Sequence, residues 1–324
     1  MKQLFFLLPL LVIFAGCSSK EYFEPENTAG DYDNTKAYLE GDIVYMNRDG
    51  ATLDSKEIIT KRGVSKFKIP EGYKFLNISD DKVITSNYKD SVMLDKKVIK
   101  VGGVVVAASV KENKLAMLFS DNSIQLYDLA SSKILLKEYY PHSYVNDTRI
   151  ANPYFMSNII LFPTLDGKIT VVANENNKVI RNIVVDADGQ FNNIIFLDVI
   201  NDTLVAATAN KVISVGDGVL NLKDYRVRDI ISKDNYIYIA TIDGQIIKTD
   251  ISLNIINRKK YKFAKVYALA YGTSLYALES QGYLINISDD FKTDTIYDFS
   301  FDNEKKVIAL GDTIYYDDEY IILK

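Results

Sequence analysis

The stretch NYIYIATIDGQIIKTD, residues 235–250, reads as a β-hairpin. Tyr236, Ile237, Tyr238 and Ile239 are aromatic or β-branched, the side chains that fit a pleated surface. Asp243-Gly244 supplies the positive φ that a tight turn needs, and Ile246 and Ile247 resume the apolar run. A single hairpin of this length is marginal in water, so its stability has to come from neighbours of the same kind.

Those neighbours are present. The same signature recurs near Ile43, Val83, Leu115, Ile159, Leu204, Tyr236, Leu275 and Ile314, eight copies at intervals of about 30 to 45 residues. Turn residues fall at matching places, at Asp49-Gly50, Asp121-Asn122, Asp166-Gly167, Asp243-Gly244 and Gln281-Gly282. Asp188-Gly189 and Asp217-Gly218 read as further turns. Each interval also holds two flanking apolar segments. Lys133–Glu138 reads as the outer strand of one unit, Val219–Leu222 as that of another, and Val227–Ser232 as an innermost strand.

Four short strands per repeat, with no sustained 3.6-residue period, predict an all-β chain: a β-propeller of eight four-stranded blades. Radial repetition lets each blade bury its faces locally, so 324 residues fit one domain. The C-terminal copy supplies strands at 306–311, 312–316 and 320–324 and stops one strand short. Residues 36–40 are placed to add that strand from the N-terminal side, closing the ring without an open edge. The first copy lacks a clear inner strand, which leaves seven blades with an irregular closing blade as the alternative.

The N-terminal end carries an address. Lys2, an apolar run from Leu4 to Phe14 and Ala15-Gly16 precede Cys17. That run is shorter than the about 20 apolar residues a spanning helix needs, so residues 1–16 are expected to be a signal peptide. Cys17 is the only cysteine, which excludes an intramolecular disulfide and a thiolate metal cluster. Residues 18–40 are polar and acidic, with no alternation, and are expected to form a flexible tether between Cys17 and a propeller domain at 41–324. Without residues 1–16 the formal net charge is about −6. No basic run exceeds Arg258-Lys259-Lys260, which argues against nucleic acid as a partner.

Phe14-Ala15-Gly16-Cys17 resembles the lipobox of bacterial lipoproteins, with Phe14 where leucine is usual. The resemblance implies a diacylglycerol on Cys17, and Ser18 after it resembles an outer-membrane sorting signal. Lipobox, acidic tether and a ring of repeats with Asp-Gly turns together resemble the BamB type of outer-membrane lipoprotein. That family's repeats are related to those of quinoprotein dehydrogenases, but this chain has no tryptophan and so lacks their docking motif and the Trp-Asp pair of WD40 repeats. The resemblance implies a protein-binding scaffold, lipid-anchored to the outer membrane and facing the periplasm, that serves β-barrel assembly. A binding module of another envelope complex is the alternative, and a quinoprotein-like or carbohydrate-active enzyme is a further one.

Chemistry-bearing constellations are scarce. His142 is the single histidine and reads as a surface-loop residue; it cannot assemble a His-based metal site. Carboxylates are plentiful but sit beside glycine or asparagine at turns, where they serve backbone geometry. No EF-hand spacing, phosphate-cradling glycine loop or dinucleotide fingerprint occurs. No enzyme activity, cofactor, metal or small-molecule substrate is therefore expected.

Binding residues are sought in the loops. The connection YYPHSYVNDTRIANPYF, residues 139–155, carries Tyr139, Tyr140, Tyr144 and Arg149 with two prolines, residue types enriched at interface hot spots. Tyr225–Asp229 places Arg226 and Arg228 at the start of an inner strand, either as partner contacts or as members of a salt bridge across the channel mouth. Tyr139, Tyr140, Tyr144, Arg149, Arg226 and Arg228 are thus the candidate partner-binding residues, and Cys17 the lipidation site.

Overall fold

The computed structural model describes residues 21–32, 36–145, 147–187 and 191–324. The expected signal peptide, Cys17 and the expected turn at Asp188-Gly189 lie outside the described residues. Among the described residues, thirty-two strands form eight separate four-stranded sheets. Seven sheets are meanders of consecutive strands, and the eighth joins the two ends of the sequence. We number them as blades one to eight: 43–65, 74–100, 105–139, 154–184, 196–224, 227–260, 266–298, and 308–322 with 36–38. Among the described residues no helix is long and apolar enough to cross a membrane.

The hairpin at 235–250 is the central pair of blade six. Tyr236–Thr241 and Gln245–Asp250 pair antiparallel from Tyr236↔Asp250 to Ala240↔Ile246. Gly244 alone takes the positive φ, at 79°, and its N–H donates to the Thr241 carbonyl at 3.1 Å. The Thr241 hydroxyl donates to Asp243 at 2.6 Å and accepts the Gln245 N–H at 3.1 Å. Blade four repeats the device, with Thr164 bonded to Asp166 and Lys168 and with Gly167 at φ 76°. These carboxylates hold turns, as expected from the sequence. A Cβ on Gly244 would lie 2.2 Å from the Tyr261 carbonyl oxygen, which is backbone and cannot swing away. Gly244→Ala is therefore expected to destabilise the chain by about 2–3 kcal/mol, read by urea unfolding. Gly72→Ala is the control, since that glycine has φ 78° but open space around it.

The core is not one body. Buried side chains sort into eight clusters, one for each seam between adjacent blades. The seam between blades five and six is typical, with Val205 and Val212 of one meeting Ile230, Ile237 and Ile239 of the other. Central strands touch a neighbour on both faces. That is why Leu115–Phe119 and Ile237–Thr241 are buried throughout instead of alternating. The last seam sets Ile308, Leu310 and Tyr315 of blade eight against Ile43, Ala51 and Leu53 of blade one, so the ring is closed.

Closure uses the strand expected for it. Lys36–Tyr38 pairs antiparallel with Glu319–Ile322, Lys36 opposite Ile321 and Tyr38 opposite Glu319. The Lys36 ammonium lies 2.8 Å from the Glu319 carboxylate, and the Leu39 N–H donates to the Asp318 carbonyl at 2.8 Å. The eight-bladed reading holds and the seven-bladed alternative does not.

Two details differ from expectation. In blade one, Ile43–Met46 and Gly50–Leu53 are the first two strands and not the central pair; Ile58–Thr60 and Gly63–Ser65 complete the sheet outward. Asp49 is accordingly no counterpart of Asp243. It is buried, with an ion pair to Lys61 at 2.5 Å and a hydrogen bond from Asn152. The second difference concerns the tether. Residues 21–32 lie along blade seven: Phe23 is buried edge-on to Tyr261 and Tyr283, at 6.0 and 5.7 Å between ring centroids. Ala29 and Tyr32 donate to the carbonyls of Ile296 and Asp298, and Asp298 donates back to Gly30. An acidic composition concealed one aromatic anchor and three backbone hydrogen bonds to blade seven.

Candidate functional site: a plugged channel and one face of loops

The innermost strands of the blades line a central channel, and a buried ion cluster spans it. Arg48, on the first turn of blade one, reaches Asp229 on the inner strand of blade six at 2.8 Å and also donates to the Ile230 carbonyl. Arg149 reaches the same Asp229 oxygen at 3.3 Å, donates to the Arg228 carbonyl at 2.7 Å, and grips Asp147 through Nε and Nη2 at 3.0 and 2.5 Å. The other Asp229 oxygen accepts the Leu269 N–H at 2.8 Å. The Arg48 guanidinium also lies over the Phe196 ring, 5.2 Å from its centroid. One carboxylate thus ties blades one, six and seven and the connection entering blade four.

Burial and charge are balanced in this cluster. The side chains of Arg48 and Asp229 are 17% and 8% exposed. Burial works against the Arg149 charge, but Asp147 and Asp229 outweigh it and hold the guanidinium above its usual range. Burial likewise pushes the Asp147 carboxyl up, and the Arg149 hydrogen bonds more than reverse this, leaving it below the usual carboxylate range. The cluster divides the channel: Arg48 and Ile231 line both a cup of about 890 Å³ on one side and a cup of about 460 Å³ on the other. The wider cup is walled by polar and oppositely charged groups, Lys61, Lys111 and Lys233 against Asp49, Asp80 and Asp198. Several are committed to structure, as where Asp198 accepts from Ser232 at 2.5 Å and Asn77 donates to the Ala108 carbonyl at 3.1 Å.

Antiparallel meanders put every connection from an outer strand to the next inner strand on one face of the ring. The six candidate residues separate there. Tyr139 is 67% exposed and Tyr144 75% exposed, the latter edge-on to the exposed His142 at 5.5 Å. Arg226 is exposed as well. Tyr140 instead packs into the seam between blades three and four, its hydroxyl accepting from Thr170 at 2.7 Å. Arg149 belongs to the channel plug. Arg228 donates to the Val266 carbonyl at 2.9 Å and lies over Tyr267, 5.5 Å from its centroid. Tyr139, Tyr144 and Arg226 therefore face solvent, and Tyr140, Arg149 and Arg228 hold the ring together. Sequence reasoning missed Arg48, Asp147 and Asp229. The available signal was Asp229 itself, a carboxylate inside the run Val227–Ile231.

No protein-family model matches the chain. The plasminogen-binding protein PgbB of Helicobacter pylori J99 is 31% identical, the match covering 99% of this chain and 71% of the relative. PgbB of strain 26695 is 30% identical over 99% of this chain and 70% of the relative. Among solved structures, BamB of Moraxella catarrhalis superposes with a TM-score of 0.66 at 12% identity, over 89% of this chain and 98% of that one. The WD40 domain of Sif2 gives 0.62 at 11% identity, over 90% of this chain and 98% of that one. These two likenesses show the propeller fold.

Proposed function

Because this chain belongs to the family of the Helicobacter pylori plasminogen-binding protein PgbB, we propose that it is a protein-binding propeller of the cell envelope, anchored to the outer membrane through a lipid on Cys17. The whole-chain similarity to a protein named for binding plasminogen carries this reading. It makes plasminogen the first ligand to test. Tyr139, Tyr144 and Arg226, exposed on one face, are the contacts in this reading, since rigid aromatics and arginine give much affinity for little ordering entropy. The protein acts as a scaffold and carries out no reaction of its own.

A second reading, an accessory of outer-membrane barrel assembly, is supported by the lipobox-like Phe14–Cys17 combined with an eight-bladed ring. Two measurements separate them. Immobilised protein should bind plasminogen saturably, and Tyr139→Ala with Tyr144→Ala should weaken it about tenfold or more. Mild crosslinking in cells should recover a barrel-assembly subunit if the second reading holds. Absence of both results would remove both partner assignments. The anchor is read separately: Cys17→Ala should lose palmitate labelling and leave the membrane fraction, and unchanged fractionation contradicts it.

A further inference from the structure

We propose that the rim between blades six and seven docks on an anionic phospholipid surface, so that the ring is held by this edge and does not swing freely on its lipid. The inference rests on the lipid anchor at Cys17, and its first support is length. Phe23 is clamped between Tyr261 and Tyr283, so the chain is fixed to the ring from that point. From Cys17 to Glu21 a fully extended chain spans at most about 14 Å. An acylated Cys17 therefore brings whatever surrounds Glu21 almost to the bilayer.

What surrounds Glu21 is basic and apolar in a protein of net charge −5. A depression of about 700 Å³ is lined by Glu21, Ile242, Lys260, Lys262, Phe263 and Lys265 among others. The segment 258–265, RKKYKFAK, holds five basic residues and no acidic one. Two of them are neutralised locally, Lys259 by Asp294 at 2.8 Å and Lys260 by Asp243 at 2.9 Å. Lys262 and Lys265 have no carboxylate partner among the described residues. Ile242 is 42% exposed and Phe263 37% exposed. Phe263 is held at φ 66°, a left-handed conformation unfavourable for a bulky side chain, with the Lys262 ammonium 4.5 Å from its ring centroid.

An aromatic and an aliphatic tip flanked by unpaired lysines match the boundary between headgroup phosphates and acyl chains. Each lysine near an anionic surface adds attraction that is felt within a Debye length, about 8 Å at physiological salt. One lipid chain gives only marginal anchoring, and a basic patch is the usual second contribution.

Vesicle flotation tests the docking independently of the anchor. Residues 21–324 carry all eight blades and lack Cys17, so this chain is mixed with phosphatidylcholine vesicles, with or without phosphatidylglycerol. We expect binding only where phosphatidylglycerol is present, and its loss at high salt. Lys262→Gln with Lys265→Gln should lower the partition coefficient about thirtyfold. Phe263→Ala should lower it severalfold without changing the melting temperature. Lys100→Gln, on the far side of the ring and 79% exposed, should change nothing. Equal binding to neutral vesicles, undiminished binding by the double variant, or no binding would each overturn the docking. Palmitate labelling reports the anchor alone, so vesicle binding by an unlabelled protein would retain the docking and reject the anchor.

Discussion

Asp229→Ala should destabilise the propeller by about 3–5 kcal/mol, because it leaves the partly buried Arg48 guanidinium without its ion-pair partner and takes one of two carboxylates from Arg149. Arg48 loses its only ion-pair partner among the described residues, and the Leu269 N–H of the next blade loses its side-chain acceptor. Arg149 keeps Asp147, so the loss falls mainly on the contact between blades one and six. Urea unfolding of the purified chain reads the effect, and a loss below about 1 kcal/mol would reject a structural role for the cluster. Arg48→Met added to Asp229→Ala should recover part of it, since removing both members of a buried pair costs less than removing one. The pH dependence follows from Asp147, whose folded-state carboxyl titrates below its unfolded value. Its contribution is present above the unfolded value, about 4, and is lost as pH falls through the lower folded value. Acid unfolding should therefore set in at a higher pH for Asp147→Asn than an uncoupled surface aspartate would give.

Deleting residues 1–38 should cost roughly 2–4 kcal/mol and increase self-association relative to the intact chain. Three residue pairs are lost along Glu319–Ile322, with the ion pair from Lys36. The greater effect is the exposed strand edge, which offers unpaired donors and acceptors to another chain. The same deletion removes Phe23 from its aromatic slot, so Phe23→Ala in the intact chain separates that term. A synthetic peptide of residues 30–42 should lower that association to the level of the intact chain when added in trans. A truncated chain that associates no more than the intact one and is equally stable would show that the ring does not depend on this strand.

Features that depend on near neighbours were legible in the sequence. Alternating or wholly apolar runs bounded by Asp-Gly turns place the hairpins, because the turn and both strands lie within about 16 residues. Counting strands at the C-terminal copy exposes a blade with one missing, and that shortage identifies residues 36–40. Blade one was less legible because Ile58–Thr60 and Gly63–Ser65 are three-residue strands, too short for a period to register. The channel plug joins residues 181 and 80 positions apart, a separation that no local pattern records. Three of the six candidate binding residues were drawn into it or into the seams. Arginine and tyrosine suit a buried polar contact as well as an exposed one, and only burial distinguishes the two uses.

The pairing of Lys36 with Ile321 also sets an order of events. The strand that completes blade eight precedes blade one in the sequence, and its partner follows blade seven, with Lys36 pairing to Ile321 across the ring. Blades one to seven can pair internally as they emerge, while Lys36–Tyr38 has nothing to join until residue 322 is available. Joining them closes a loop that spans blades one to seven, which is slower than forming any hairpin within it. Until that step an unfinished molecule keeps one sticky edge, the interval in which a chaperone would have most to do.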